Sequence, residues 1–348
     1  MRCLTLAEIL GSMGFRPTFI CRDWPDHIGR QINDRGFTVR WLPALPQPVS
    51  GQINADKIWP DINWADDVRE TAHVLERVGT IDWLVVDHYL LDERWEKHMR
   101  HYADRIAVID DLANRPHDCD ILLDQNLYDQ TQKRYINLVP PACRLFLGPQ
   151  YALLRNEFYP VRAALPPRTG QIRSVLIFFG GSDLTNETEK TLTALQMLNL
   201  GGIRIDVVVG RNNRYIDRIR DICSAMPKTT LHCQTNNMAE LMAAADVAIG
   251  AGGTTTWERC FLGLPSLTVI VADNQREVTE MAAKAGVTVN LGLSSHVTAK
   301  NIAQALQGAL DDPGRMCRMS ANAMKIMGTY APPEQHPLVR QILEEKHA

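Results

Sequence analysis

The stretch from Asp246 to Ala272 constrains this chain more than any other. An apolar run, Asp246-Val-Ala-Ile249, leads into Gly250-Ala-Gly-Gly253. Thr254-Thr-Thr256 and a segment with helical spacing from Trp257 to Leu262 follow. Gly263 and Pro265 stop that helix, and Ser266-Leu-Thr-Val-Ile-Val-Ala272 reads as the next strand. The order is strand, glycine-rich turn, helix, strand. A helix N-terminus carries unpaired N–H groups and the positive end of a dipole, which suits a phosphate. Glycines let the backbone come close to it, and threonine hydroxyls add donors. Glu258, one turn into the helix, is placed to accept hydrogen bonds from a sugar's hydroxyls. The same spacing also fits a tight strand-to-helix turn with a capping threonine and no ligand, because a glycine-rich turn is not specific by itself.

The first residues are already inside a helix pattern, with Leu6, Ile9, Leu10 and Met13 on one face and Gly14 closing it. Strands are expected at Thr18–Cys21, Phe37–Trp41, Trp83–Asp87, Ile106–Asp110 and Ile121–Asp124. Helices are expected over Asp26–Asp34 and from Asp61, as N-cap, to Val78, with a loop over Pro43–Pro60. Alternation of this kind implies a parallel sheet with helices on both faces, and ligands at the carboxyl ends of its strands. Tyr89 follows one such end and is a candidate ligand contact, with packing at a domain edge as its plainer role. Asp110 and Asp111 read as caps of a following helix. His98 and His101 read as a solvated helix face.

A change of pattern around residues 140–170 marks a boundary. Gly148–Phe158 reads as a turn plus a short helical piece, and Pro160 with Pro166-Pro167 as a linker. The expected domains are 1–158, 159–330 and a C-terminal helix within 331–348. The second series opens with Ser174–Phe179 and the turn Gly180-Gly-Ser-Asp183, with Thr185 as the helix N-cap. Strands near 205–209, 230–231 and 287–289, and helices over 238–245 and 276–285, complete it. Two α/β domains of Rossmann-like type make a cleft between them the expected ligand site, with the nucleotide assigned to the second domain.

Composition narrows the partners. A formal charge of −3 over 348 residues gives no basic excess for nucleic acid. No apolar run approaches the roughly 18 residues of a membrane span. The eight cysteines, at 3, 21, 119, 143, 223, 233, 260 and 317, have neither zinc spacing nor the look of a disulfide framework. A reducing cytoplasm fits them.

Several stretches together carry a resemblance. Gly250–Glu258, Leu262-Gly-Leu-Pro265 and Asn274-Gln275 resemble the donor-binding half of GT-B enzymes related to MurG-type transferases. Arg2–Ala7, Val86-Asp-His-Tyr89, Val108–Leu112, Gly148–Arg155 and Phe179–Asp183 resemble more closely the UDP-sugar hydrolases of pseudaminic acid biosynthesis. That resemblance implies a GT-B fold and hydrolysis of a UDP-linked diacetamido-trideoxy hexose at its anomeric carbon. The setting would be nonulosonic acid synthesis for flagellin glycosylation, and neither a metal nor a cofactor is implied. It places UDP against Gly252, Gly253, Thr254 and Thr255, with Glu258 near the ribose and Asn274 near the sugar or its phosphates; Gly181 and Ser182 of the other glycine-rich turn join them as substrate-binding candidates. Tyr89 and Arg155 would contact the sugar from the first domain, and Tyr89 is a catalytic candidate. The oligomeric partner is unspecified. A GT-B glycosyltransferase using a UDP-sugar donor, or an inactive nucleotide-sugar binder, are the alternatives.

The family opens with a strand and Gly-x-Gly-His before the segment matched by residues 1–7, and its histidine is the proposed base that activates water. Met1 falls after both. A first strand is central in a doubly wound sheet, and its ladder bonds are worth about 0.5–1.5 kcal/mol each. Against a domain stability of about 5–15 kcal/mol, a chain without it should fold badly. The expectation is therefore a natural product extended by roughly 20 residues, a strand and its loop. His88 is a weaker substitute for the base.

Overall fold

A computed structural model describes residues 1–23, 28–44 and 64–344. The capping role expected of Asp61 and most of the loop expected over 43–60 lie outside them. The chain divides into two compact units, residues 1–125 with 130–153 and 331–348, and residues 126–129 with 154–330.

The first unit starts with α1 (Arg2–Ser12), which ends where Gly14 takes φ +91°. Then come β1 (Thr18–Arg22), α2 (Gly29–Asp34), β2 (Thr38–Leu42), α3 (Trp64–Leu75), β3 (Ile81–Val86), α4 (Glu93–Met99), β4 (Ala103–Ile109), β5 (Ile121–Asp124) and β6 (Arg144–Leu147). Every pairing is parallel. Side chains alternate across β4: Ile106 and Val108 pack with Leu75, Trp95 and Met99, while Ala107 and Ile109 pack with Leu6, Ile9 and Leu10 of α1. The strands fall into two sheets, β1-β2 and β3-β4-β5-β6, so β1 and β3 are both edge strands. No strand among the described residues pairs with both, although Ile20 of β1 joins the same apolar cluster as Ile81 and Leu84 of β3.

The second unit runs through α5 (Phe158–Ala164), β7 (Ser174–Phe178), α6 (Glu187–Gln196), β8 (Arg204–Val209), α7 (Ile216–Ala225), β9 (Thr229–Cys233), α8 (Met238–Ala244), β10 (Val247–Ala251), α9 (Thr255–Phe261), β11 (Ser266–Ile270), α10 (Arg276–Lys284), β12 (Thr288–Leu293), α11 (Ala299–Asp311) and α12 (Pro313–Ile326). Its parallel sheet has the order β12-β11-β10-β7-β8-β9, so the winding reverses between β7 and β10. Val175, Ile177, Val207, Val247, Ile249 and Leu267 are fully buried in its core, each burial worth about 1.5–3 kcal/mol. The last helix, α13 (Pro337–Glu344), places Leu338, Val339 and Ile342 in the first unit's core beside Leu6 and Ile9.

Several local expectations are corrected. β6 is a strand that the sequence pattern did not show. Pro160 lies inside α5, where its missing N–H costs nothing in the first turn. The Pro166-Pro167 stretch is no free linker, because Arg168 donates to the carbonyls of Met242, Ala245 and Leu262. Thr185 does not cap α6; Asp183 does, accepting from the Glu187 and Thr188 amides at 2.9 and 2.8 Å. His98 is exposed on α4, but His101 lies beyond the helix end. Cys119 and Cys143, far apart in sequence, meet at 3.6 Å as free thiols.

His336 leads into α13, and its Nδ1 accepts from the Leu338 amide at 3.2 Å. Burial pulls its pKa from 6.5 down to about 4. The folded state thus prefers the neutral ring. The stability this contributes is complete above pH 6.5 and is lost as pH falls toward 4, about 3 kcal/mol over that window. His336→Asn keeps an acceptor for the amide and removes the titration. Denaturant melts at pH 7 and pH 4.5 should show the variant losing less stability on acidification than the parent. Equal losses would contradict this.

Candidate functional site

The winding reversal brings the two glycine-rich turns side by side. Gly250 of β10 pairs with Phe178 of β7, and a side chain at Gly250 would strike the Phe178 carbonyl. At the end of β8, Gly210 donates to the Gly181 carbonyl at 3.1 Å, and a Cβ at Gly210 would overlap that oxygen. Gly180 takes φ +90°. The turn therefore presents Gly181 and Ser182 to solvent, with Asp183 buried beneath as the α6 cap. Open α/β sheets bind ligands in the crevice at such a reversal.

Gly252 is buried against Thr279 of α10, while Gly253, Thr254 and Thr255 face outward to differing degrees. Thr254 occupies the N-cap position of α9 without a side-chain capping bond, so its hydroxyl is not spent on the helix. Two buried side chains fix this helix. Arg259, 2% exposed, donates to the Ala251 carbonyl at 2.9 Å and the Thr256 hydroxyl at 3.1 Å. Burial lowers its pKa to about 10, which leaves it a cation at neutral pH. Trp257, fully buried, donates from Nε1 to Asn126 Oδ1 at 2.8 Å.

Glu258 emerges one turn into α9. Its Oε1 accepts from Arg155 Nε at 3.0 Å, and its Oε2 is buried with no hydrogen-bond partner among the described residues. Beyond β11, a 3₁₀ turn, Asp273–Gln275, exposes Asn274. Gln275 braces that turn by accepting from the Val271 amide at 3.2 Å, and its Nε2 approaches the Gly253 position. The second unit thus brings Gly181, Ser182, Gly252, Gly253, Thr254, Thr255, Glu258 and Asn274 to the carboxyl end of one sheet. Arg155 belongs here too, with Glu258, rather than with the first domain as the sequence suggested.

Tyr89 sits in the first unit, just past the carboxyl end of β3. Burial first, then the carboxylates around it, Asp111 foremost, raise its pKa, so the phenol keeps its proton at neutral pH. It is a donor, not a base. Arg2 binds Asp87 at 2.6 Å and Asp111 at 3.0 Å, tying the start of α1 to the ends of β3 and β4. Asp110 and Asp111 cap no helix, contrary to expectation. Asp110 is buried, takes Arg115 at 2.9 Å and shares the Tyr135 hydroxyl with Asp124 at 3.0 and 3.1 Å. His88 is a poor base. Its Nδ1 accepts from the Leu90 amide at 3.2 Å, so the neutral ring carries its proton on Nε2, and burial pulls its pKa to about 4. Among the described residues no three His, Cys, Asp or Glu side chains gather as a metal site, and no helix is long and apolar enough to cross a membrane.

Residues 175–329 match the glycosyltransferase family 28 C-terminal domain. The chain is 27% identical over 268 residues to the UDP-2,4-diacetamido-2,4,6-trideoxy-β-L-altropyranose hydrolase of Campylobacter jejuni, covering 75% of this chain and 90% of that one. It is 29% identical over 214 residues to an uncharacterized protein of Methanocaldococcus jannaschii, and 30% identical over 155 residues to the spore coat polysaccharide biosynthesis protein SpsG of Bacillus subtilis. Those two matches cover 59% and 44% of this chain, and span under half of each relative, 44% and 45% of their lengths. Among solved structures, MurG of Acinetobacter baumannii superposes with a TM-score of 0.63 at 14% identity, over 99% of this chain and 95% of that one. The spinosyn forosaminyltransferase SpnP reaches 0.66 at 14% identity, over 100% of this chain and 96% of that one. The fold is that of the GT-B enzymes, the second unit carries the match to the glycosyltransferase family 28 C-terminal domain, and three-quarters of the chain is similar to the altropyranose hydrolase.

Proposed function

We propose that this chain is an enzyme of nucleotide-sugar metabolism that hydrolyses a UDP-linked diacetamido-trideoxy hexose to UDP and the free sugar. The observation that carries the reading is the pair of glycine-rich turns at the winding reversal, with Glu258 beside them and its Oε2 unpartnered among the described residues. The amides and hydroxyls of Gly252 to Thr255, with Gly181 and Ser182, hold the diphosphate. Glu258 accepts from the ribose hydroxyls, and Asn274 lies toward the sugar or its phosphates. Donors aimed at a departing diphosphate stabilise it most as its charge develops. Water displaces UDP from the anomeric carbon; the C–O bond breaks, its electrons leave with the β-phosphate, and the attacking water loses a proton to a base. Tyr89, with its proton retained, serves as a hydrogen-bonding contact for the sugar.

The similarity to the Campylobacter hydrolase supports water as acceptor, whereas the family 28 domain match favours a second reading, transfer from a UDP-sugar to a carbohydrate acceptor. A coupled assay of UDP release separates them. The hydrolase reading expects release from the diacetamido-trideoxy substrate in buffer alone. Release that appears only when a carbohydrate acceptor is added would establish the transferase instead.

A further inference from the structure

Arg155 is held from three sides. Its Nε meets Glu258 Oε1 at 3.0 Å, and its Nη1 meets Glu157 Oε1 at 3.1 Å. The guanidinium carbon lies 5.0 Å from the centre of the Phe158 ring. The side chain is three-quarters buried; Glu258 is more deeply buried still, and Glu157 is about as exposed as the arginine. A planar fork gripped this way has little freedom left, so it fixes the carboxylate it touches. It takes only one oxygen of Glu258. The other, Oε2, is buried without a partner among the described residues, and a buried carboxylate oxygen with nothing to accept from costs free energy until a donor arrives.

We propose that Arg155 is a positioning residue for nucleotide recognition: by pinning Glu258 through Oε1, it aims Oε2 at a vicinal hydroxyl of the bound nucleotide and so makes the site select ribose over deoxyribose. Glu157 takes part as the anchor on the far side of the guanidinium. This rests on the nucleotide reading given above. In this role Arg155 acts on the nucleotide through Glu258.

Isothermal calorimetry with UDP and with 2′-deoxyuridine diphosphate tests it. A hydrogen bond to a charged group is worth a factor of about 10 to 100, so the parent protein should favour UDP over its 2′-deoxy counterpart by ~20-fold. In Arg155→Met the preference should fall below about threefold while affinity for the deoxy nucleotide stays within about threefold of the parent's. Retained deoxy-nucleotide binding also reports that the variant is folded. Arg155→Lys, a point charge that can serve one carboxylate but not both, should fall between, and it tests the idea even if the Met variant does not fold. A parent that binds UDP with the ribose preference, and an Arg155 variant that keeps it, overturns the positioning role and leaves the nucleotide reading intact. Parallel loss of both nucleotides overturns it too, as a purely structural effect. A parent that binds neither nucleotide overturns both.

Discussion

Gly252→Ala is expected to weaken UDP binding at least ~100-fold, about 3 kcal/mol, with little change in the fold of the sheet below it. Gly252 has ordinary φ, so backbone freedom is not the reason. A Cβ there would overlap the Thr279 hydroxyl on α10 and crowd the Thr279 Cβ and the Thr268 methyl. Thr279 is buried and β-branched, with few rotamers to retreat into. The turn must therefore lift, and the Gly253–Thr255 amides lift with it. Removing the obstacle should restore part of the loss, so Thr279→Ala in the same chain should recover about tenfold in affinity. Calorimetry on the single and double variants checks this. Equal affinities for parent and Gly252→Ala would remove the turn from the binding site.

Gly170→Ala carries the largest expected cost in stability. Gly170 has φ +78°, and a Cβ there would overlap the carbonyl of Pro313 at the start of α12, with Cys317 Sγ also close. The left-handed backbone costs about 1–2 kcal/mol for a non-glycine residue, and overpacking against a rigid carbonyl adds about 1–3 kcal/mol. A loss of about 3–4 kcal/mol should lower the melting temperature of the second unit by about 10 °C. Calorimetric unfolding measures it directly. A shift within about 2 °C of the parent would show that the 165–173 segment is not held against α12 as described.

What was legible in the sequence is what is local. The strand, turn and helix around Gly250 could be read because glycines, a threonine run and 3.6-residue spacing fall within one window. The strands β7, β8 and β11 could be read because buried parallel strands are nearly continuous apolar runs. β6 was not, because Arg144-Leu-Phe-Leu147 is four residues long and starts with a charge. The wrong roles of Asp110 and Asp111 have one cause. Capping is the commonest local use of an aspartate, while the partners that decide their roles, Tyr135 and Arg2, lie 25 and 109 residues away. Arg155 is the same case, since Glu258 is 103 residues on. Ion pairs across such distances leave no periodic trace. Arg259, an arginine on the core face of a helix, offered a signal that could have been read: a long basic side chain in an otherwise apolar stripe needs carbonyl or carboxylate partners.

The measurement that tests the central claim most directly follows the oxygen. With the diacetamido-trideoxy UDP-sugar as substrate in ¹⁸O-enriched water, ³¹P NMR reads whether the β-phosphorus of the released UDP carries the heavy isotope. The account predicts UDP release with no isotope shift, because water attacks the anomeric carbon and the bridging oxygen leaves with the phosphate. An ¹⁸O-shifted β-phosphorus would place the attack at phosphorus, and no UDP release from this substrate would contradict the hydrolase assignment itself.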